Sequence, residues 1–339
     1  MEIKDILTEK PWEEFLTKIP HTPFLQSWAW GEFQERLGFS HRRLGIYQGK
    51  ELVGICAVYL GHRKLGSFAY VPHGPVFKAF DGGMAKAVLA YLKDLARREK
   101  VDYLRIEPNW EAANDQQTLL SQAGFRPARS AIPQAGGRTL LLDLALPEEE
   151  LLANLRKTTR YLVRKGEELG ITIERTADQG KLPNFHRLMK LTQTRQHFTP
   201  QARAYLEDQF TELAPRRMAE LALARYGGEI ISAAIEVSYG DTTTYLHGAS
   251  LKSEVPASHV LLWENIKEAK KDGRSYYDFW GIAPEGADQK HPWWGYTLFK
   301  SGFGGYPHDY LGTWDLSLNP KYLGVWAAEE LRSLIKRRL

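Results

Sequence analysis

Two stretches of the chain each run as an apolar strand, a glycine-bearing turn and a second apolar strand. They are Arg42–Leu60, RRLGIYQGKELVGICAVYL, and Leu221–Tyr239, LALARYGGEIISAAIEVSY. Two apolar runs joined across Gly49, or across Gly227–Gly228, predict a β-hairpin in each. Further along, LKDLARREKVDYLRIEPN and IKEAKKDGRSYYDFWGIAP each read as an amphipathic, basic-faced helix followed by a short buried strand. A third pair, AGFRP…TLLLDLAL and SGFGG…GTWDLSL, ends each series. The three pairs keep the same order at an offset of roughly 175 residues, which marks duplication of a whole domain rather than a solenoid.

The repeated unit reads as helices, a hairpin, a strand, a helix, a strand, a helix and closing strands. Such an order predicts a mixed sheet with helices packed on it, an α/β (α+β) architecture. The first unit is expected over 1–147 and the second over 148–318. At the boundary, LPEEELLANL opens a new helix with acidic residues in its first turn. A last helix is expected over 319–339. Its Leu331, Leu334 and Ile335 share a face that would pack back on the first domain.

Composition narrows the class. With 339 residues, 43% hydrophobic and 25% charged, the chain can hold two globular domains. Mean hydropathy is −0.41 and no run approaches a membrane span. The N-terminus lacks a basic start followed by an apolar core, so no secretory signal is expected and the location is taken as cytoplasmic. The single Cys56 sits in an apolar strand and excludes an internal disulfide. A net charge of +4 permits a polyanionic partner without requiring one.

The candidate chemistry is sparse. LRKTTRYLVRKGEELGI places Arg156, Arg160 and Arg164 four apart on one helical face, with Lys157 and Lys165 beside them. That row suits a phosphate backbone, and equally a solvated surface helix relieved by Glu167 and Glu168. Glu107 ends a buried strand in RIEPNW, where a carboxylate can orient or deprotonate an amine, or simply form a turn. Tyr245 and His247 share a strand face in TTTYLHGAS. HPWWGYTLFKSGFGG (His291–Gly305) holds Lys300, which has no basic counterpart in the first unit. Its Gly302 and Phe303 match the GF of LLSQAGFRPA and are expected to end a helix and fill the core, not to cradle a phosphate. Histidine and cysteine spacings give no metal site, and no P-loop, dinucleotide fingerprint or nucleophile elbow is present.

Three ordered segments carry a resemblance: TPFLQSWAWGEFQERLGF, LRKTTRYLVRKGEELGI, and YYDFWGIAP…WWGYTLFKSGFGG, with FAYVPHGPVF in support. Together they resemble the FemABX family of peptidoglycan aminoacyltransferases over nearly the whole chain, in its compact form without a helical arm. The resemblance implies tandem GNAT-like acyltransferase domains. It implies transfer of an amino acid from aminoacyl-tRNA to a stem-peptide amine of a peptidoglycan precursor, either UDP-MurNAc-pentapeptide or lipid II. It implies no cofactor, a monomer, and a peripheral membrane contact where the precursor is lipid II. By position Glu107 lines the precursor pocket and Lys300 matches the family's FK, and both are expected to act in catalysis, Lys300 as a positive charge and Glu107 on the attacking amine. Trp28, Trp30, Arg203, Tyr205, Tyr245, His247 and Phe299 fall to precursor binding. With tRNA as donor, the basic row Arg156, Lys157, Arg160 and Arg164 is expected to meet its phosphates. Two alternatives stand beside it: an acyl-CoA-dependent N-acyltransferase, and a non-catalytic tandem domain binding precursor or RNA. SEVPASHVLLWENI has no glycine where a pyrophosphate loop would be needed, which weighs against CoA.

Overall fold

The computed structural model describes residues 1–63, 66–128, 137–196 and 201–338, the last seven as backbone. The chain divides into two compact units. The elements are, in order, β1 (Glu2–Asp5), α1 (Glu9–Leu16), α2 (Trp28–Arg36), β2 (Ser40–Gln48), β3 (Glu51–Arg63), β4 (Gly66–Pro72), β5 (Val76–Phe77), α3 (Gly82–Arg98), β6 (Tyr103–Glu107), α4 (Asn114–Gln122) and β7 (Arg126–Pro127). There follow β8 (Arg138–Asp143), α5 (Glu148–Asn154), α6 (Lys157–Glu168), β9 (Thr172–Thr176), α7 (Leu182–Gln196), α8 (Arg203–Leu213), β10 (Ala219–Tyr226), β11 (Glu229–Tyr239) and β12 (Thr242–Ser250). The chain ends with α9 (Ala257–Lys271), β13 (Tyr276–Gly281), α10 (Trp294–Lys300), β14 (Tyr306–Asp309), β15 (Trp314–Ser317) and α11 (Tyr322–Arg338).

The first sheet runs β1-β2-β3-β4-β6-β15-β7, with β5 on β3, and the second runs β14-β8-β13-β12-β11-β10-β9. Read from opposite ends, the two orders match strand for strand. Both hold a parallel pair at the matching place, β4–β6 and β12–β13. The predicted repeat is therefore a repeat of topology, and both hairpins form as expected, β2–β3 and β10–β11.

The sheets overrun the expected limits at residues 147 and 318. β8, expected in the first domain, pairs with β13 in the second sheet. β15, expected in the second domain, pairs with β6 and β7 in the first. TLLLD and WDLS are alike in pattern, so hydrophobicity alone cannot say which sheet each strand joins.

In the first unit α3 buries Met84, Val88, Leu89, Leu92 and Leu95 along one stripe against the sheet. Each fully buried leucine there is worth about 2 kcal/mol of transfer free energy. In the second unit α9 does the same with Val260, Leu262, Trp263 and Ile266. Helix α6 crosses α9 closely, because a Cβ at Gly166 would come within 2.3 Å of the Val260 side chain.

The last helix is held differently from the expectation. Leu331 is 60% exposed, and Leu334 and Ile335 lie outside the described side chains. Contact runs instead through Tyr322, Val325 and Glu329. Val325 packs with Phe68 and Tyr103, and Tyr322 donates its hydroxyl proton to Asp315 at 2.8 Å. Arg105 forks onto Asp315 at 2.7 Å through Nε and Nη2 and onto Glu329 at 3.0 and 2.9 Å through Nη1 and Nη2. A planar guanidinium between two carboxylates fixes angle as well as distance.

Candidate active site

The two parallel strand pairs differ. In the first unit β4 and β6 stay in register from Phe68↔Tyr103 to Pro72↔Glu107. In the second, β12 and β13 pair only at Thr242↔Tyr276, Thr243↔Tyr277 and Thr244↔Asp278, then continue separately. On its other side β13 slips register against β8 between Asp278 and Gly281. Within that slip Trp280 adopts φ +64°, a left-handed conformation that is uncommon for a bulky side chain and costs about 1–3 kcal/mol.

Asp278 stabilises the strained turn. It is buried, and its Oδ1 accepts the Trp280 amide at 2.7 Å and the Thr139 hydroxyl. Its Oδ2 lies 3.4 Å from His21 Nε2. Burial works to raise this carboxyl's pKa, but His21 and the hydrogen bonds from Thr139 and Trp280 outweigh it and hold the group below its ordinary value.

Lys300 meets the far end of the same turn. It closes α10, is 8% exposed, and donates from Nζ to the Gly281 carbonyl at 2.7 Å. Burial lowers its pKa to about 8, against the opposing pull of Asp278. An ammonium carries three N–H donors and Gly281 takes one. The residue thus combines a positive charge, a low-dielectric setting and a fixed direction, which is what stabilising a developing oxyanion requires. Around it, Thr297 on α10 accepts the Ala283 amide at 2.8 Å. Phe299 packs edge-on to His259 and Phe303 at 5.1 and 5.5 Å. Phe303 is fully buried, and a Cβ on Gly302 would approach the Thr159 hydroxyl to 2.3 Å. Gly302 and Phe303 are packing residues.

Glu107 belongs to the first unit. It ends β6 at 3% exposure and accepts the Tyr70 hydroxyl at 2.7 Å and the Thr313 hydroxyl at 3.0 Å. Thr313 stands immediately before β15, so the strand from the far end of the chain helps to build this carboxylate's setting.

The remaining candidates separate into several environments. Trp28 is half-buried beneath the Arg43 guanidinium, which lies 3.6 Å from its ring centroid and also pairs with Glu32 at 3.1 Å. Trp30 is 1% exposed against Phe24 and Phe33, so the expectation of a substrate contact is corrected: the ring fills the core. Tyr245 is half-buried against the second-unit core, its hydroxyl over Gly248, where a Cβ would collide with it. His247 meets Gln209 of α8 at 3.2 Å, and burial lowers its pKa to about 4. Arg203 is exposed and pairs with Glu207 at 2.7 Å, while Tyr205 is half-buried one turn behind Gln209.

The basic helix face is divided in use. Arg156 donates to the Leu298 carbonyl at 3.0 Å and the Ser301 hydroxyl at 2.9 Å, and Arg160 donates to the Ala153 carbonyl at 2.6 Å. These two fasten the start of α6 to the ends of α10 and α5, where outward carbonyls favour a cation. Lys157 and Arg164 are exposed. Among the described residues no His, Cys, Asp and Glu cluster fits a metal ion, and no helix is long and apolar enough to cross a membrane.

Sequence reasoning missed Asp278, Thr139, Arg43 and His21. Asp278 left a signal, a lone carboxylate inside the apolar run YYDFWG. His21 left none, because its partner is distant in the chain.

Comparison with known proteins bears on the fold and the class of protein. Residues 7–127 match the FemAB family and residues 153–291 the acetyltransferase (GNAT) domain. Lipid II:glycine glycyltransferases from Staphylococcus epidermidis and Staphylococcus aureus are 21% and 22% identical, each over 92% of this chain and 92% of the relative. By these matches the chain resembles the FemABX family over nearly its whole length. A crystal structure of FemX matches 96% of this chain and 100% of its own with a TM-score of 0.85 at 21% identity. A tandem GNAT protein from the clavulanic acid pathway matches 83% of this chain and 84% of its own with a TM-score of 0.53 at 12% identity. The fold is thus a tandem GNAT-like one, and the protein is an enzyme of the acyl- and aminoacyl-transferring class. The glycyltransferase alignments extend over 387 and 390 positions against 339 residues here. Those relatives therefore carry segments that have no counterpart in this chain.

Proposed function

We propose that this FemABX-like protein transfers an amino acid from aminoacyl-tRNA to a stem-peptide amine of a peptidoglycan precursor. The observation that carries the reading is Lys300: a buried ammonium, fixed by Gly281, at the end of a parallel strand pair that has parted. The amine nitrogen attacks the ester carbonyl, the tetrahedral oxyanion forms, the bond to the tRNA ribose oxygen breaks, and the amine's proton is lost to a base. Lys300 supplies the positive charge for the oxyanion or the tRNA 3′ end. Glu107, in the first unit, is the second group put forward for catalysis, a carboxylate able to orient an amine or take its proton. No enzyme nucleophile is needed, since an amine attacks an ester directly. The parted strands have backbone groups outside their common ladder, which suits an extended acyl or peptidyl segment.

Lys157 and Arg164 are the phosphate contacts to tRNA in this reading. Lipid II is the favoured precursor, because the staphylococcal relatives are named for it, and UDP-MurNAc-pentapeptide is the second candidate. Purified protein is incubated with a mixture of charged tRNAs and each precursor in turn, and products are read by mass spectrometry. A mass increase of one or more amino acids on a precursor is expected, lost in Lys300→Met and Glu107→Gln. Transfer from acetyl-CoA with none from charged tRNA would overturn the reading in favour of a CoA-dependent acyltransferase, the class suggested by the GNAT match. The Pro256 start of α9, without a glycine loop, weighs against that outcome.

A further inference from the structure

A three-residue segment near the N-terminus, Pro20–Thr22, belongs to the second unit. The two-residue turn Gly240–Asp241, between β11 and β12, pins it. Asp241 accepts the His21 amide, the Thr22 amide and the Thr22 hydroxyl, each at 3.0 Å. Gly240, at φ +56°, is required there, since a Cβ would come within 2.2 Å of the Thr22 hydroxyl. The same turn is tied to β13, where its Asp241 carbonyl accepts the Ser275 and Tyr276 amides at 2.8 and 3.1 Å.

So held, His21 takes φ +51° and directs Nε2 at Asp278 Oδ2, 3.4 Å away. Its ring meets Tyr276 and His308 at 5.8 and 5.7 Å. A strained residue anchored from its backbone and ending on a buried carboxylate is more than a packing contact.

We propose that His21 is a positioning residue for the acyl-transfer site. It fixes Asp278, hence the Trp280–Gly281 turn, so that the Gly281 carbonyl lies 2.7 Å from Lys300 Nζ. Acting through other groups, it touches no reacting atom. The inference rests on the proposed role of Lys300 only for its effect on catalysis; the effect on Lys300 itself is independent of it. The titratable groups facing the assembly are Tyr276, His308, Asp241, Asp278 and Lys300.

The test uses His21→Asn, since asparagine accepts the left-handed conformation and is too short to reach Asp278. His21→Gln, whose amide nitrogen can stand in for Nε2, is the rescue variant. Two readouts are taken on the full-length protein: transfer from charged tRNA to lipid II, and the titration of Lys300 by NMR on 13C-labelled lysine, assigned with Lys300→Met. Expected for His21→Asn are a kcat lower by about 10- to 100-fold with little change in KM, and a Lys300 titration displaced below about 8. The displacement follows because the ammonium loses the carbonyl that favours its charged form. His21→Gln should recover most of both. A Lys300 titration unchanged in His21→Asn overturns the inference, whatever the rates do. If Lys300→Met still transfers, the catalytic role of Lys300 fails, while the NMR titration still decides whether His21 positions it.

Discussion

Lys300 should cost the protein stability at neutral pH, and the cost has a defined pH signature. Its ammonium titrates at about 8 in the folded chain, against an ordinary 10.5. At about 1.4 kcal/mol per pH unit, the difference corresponds to ~3 kcal/mol. The sign follows from proton counts. Below pH 8 both folded and unfolded states hold the proton, and the penalty of burying the charge is constant. Between 8 and 10.5 the unfolded state holds a proton that the folded state has released, so stability rises with pH. Above 10.5 the penalty is gone. Lys300→Met removes the titration, although it also leaves the Gly281 carbonyl without its partner, at about 1–3 kcal/mol. The absolute stability change is therefore small, and the pH dependence is the informative quantity. Urea denaturation of both proteins from pH 7 to 9.5 should show the wild type gaining about 2 kcal/mol on the variant, nearly all of it above pH 8. A difference that stays flat across that range would refute the burial argument and, with it, the electrostatic case for Lys300.

Three further outcomes follow from the packing. Arg105→Ala leaves Asp315, whose side chain is 1% exposed, as an uncompensated buried carboxylate; unfolding free energy should fall by about 3–5 kcal/mol, read from the urea midpoint. Gly302→Ala pushes a Cβ to 2.3 Å from Thr159 Oγ1 and should cost about 1–3 kcal/mol, with Thr159→Ala in the same chain restoring most of it; equal losses in single and double variants would discount the contact. On α6, Lys157→Glu and Arg164→Glu should weaken tRNA binding and flatten its salt dependence, by about 0.7–0.9 in log–log slope for each phosphate no longer neutralised, whereas Arg156→Ala and Arg160→Ala should mainly lower the melting temperature.

Much of this architecture was legible in the pattern of the chain. Apolar runs flanking glycine turns found both hairpins, and helix–strand pairs in matching order exposed the duplication, because the local pattern of apolar and turn residues reports which segments are buried. The unusual chemistry of Lys300 was visible too, as a basic residue standing where the first unit has Gln122. The basic run on α6 was correctly located as a helix face, but its division of labour was not. Arg156 and Arg160 look equivalent to Arg164 in sequence, and only the arrival of the α5 and α10 carbonyls distinguishes them.

What tertiary structure decided is where distant segments meet. The sequence contains β8 and β15 as interchangeable short apolar strands, yet each completes the other unit's sheet, a choice made by long-range pairing rather than by any local preference. The same holds for the site. Trp30 shares its motif with Trp28, but the fold drives one ring into the core and leaves the other under Arg43. Asp278 was readable as an oddity in an apolar strand, while its meaning came from His21, Thr139 and the Trp280 turn. A sequence determines which residues can be buried. Which buried charge meets which partner depends on the closed fold, since electrostatic and hydrogen-bond geometry is set by contacts of a few ångströms between residues far apart in the chain.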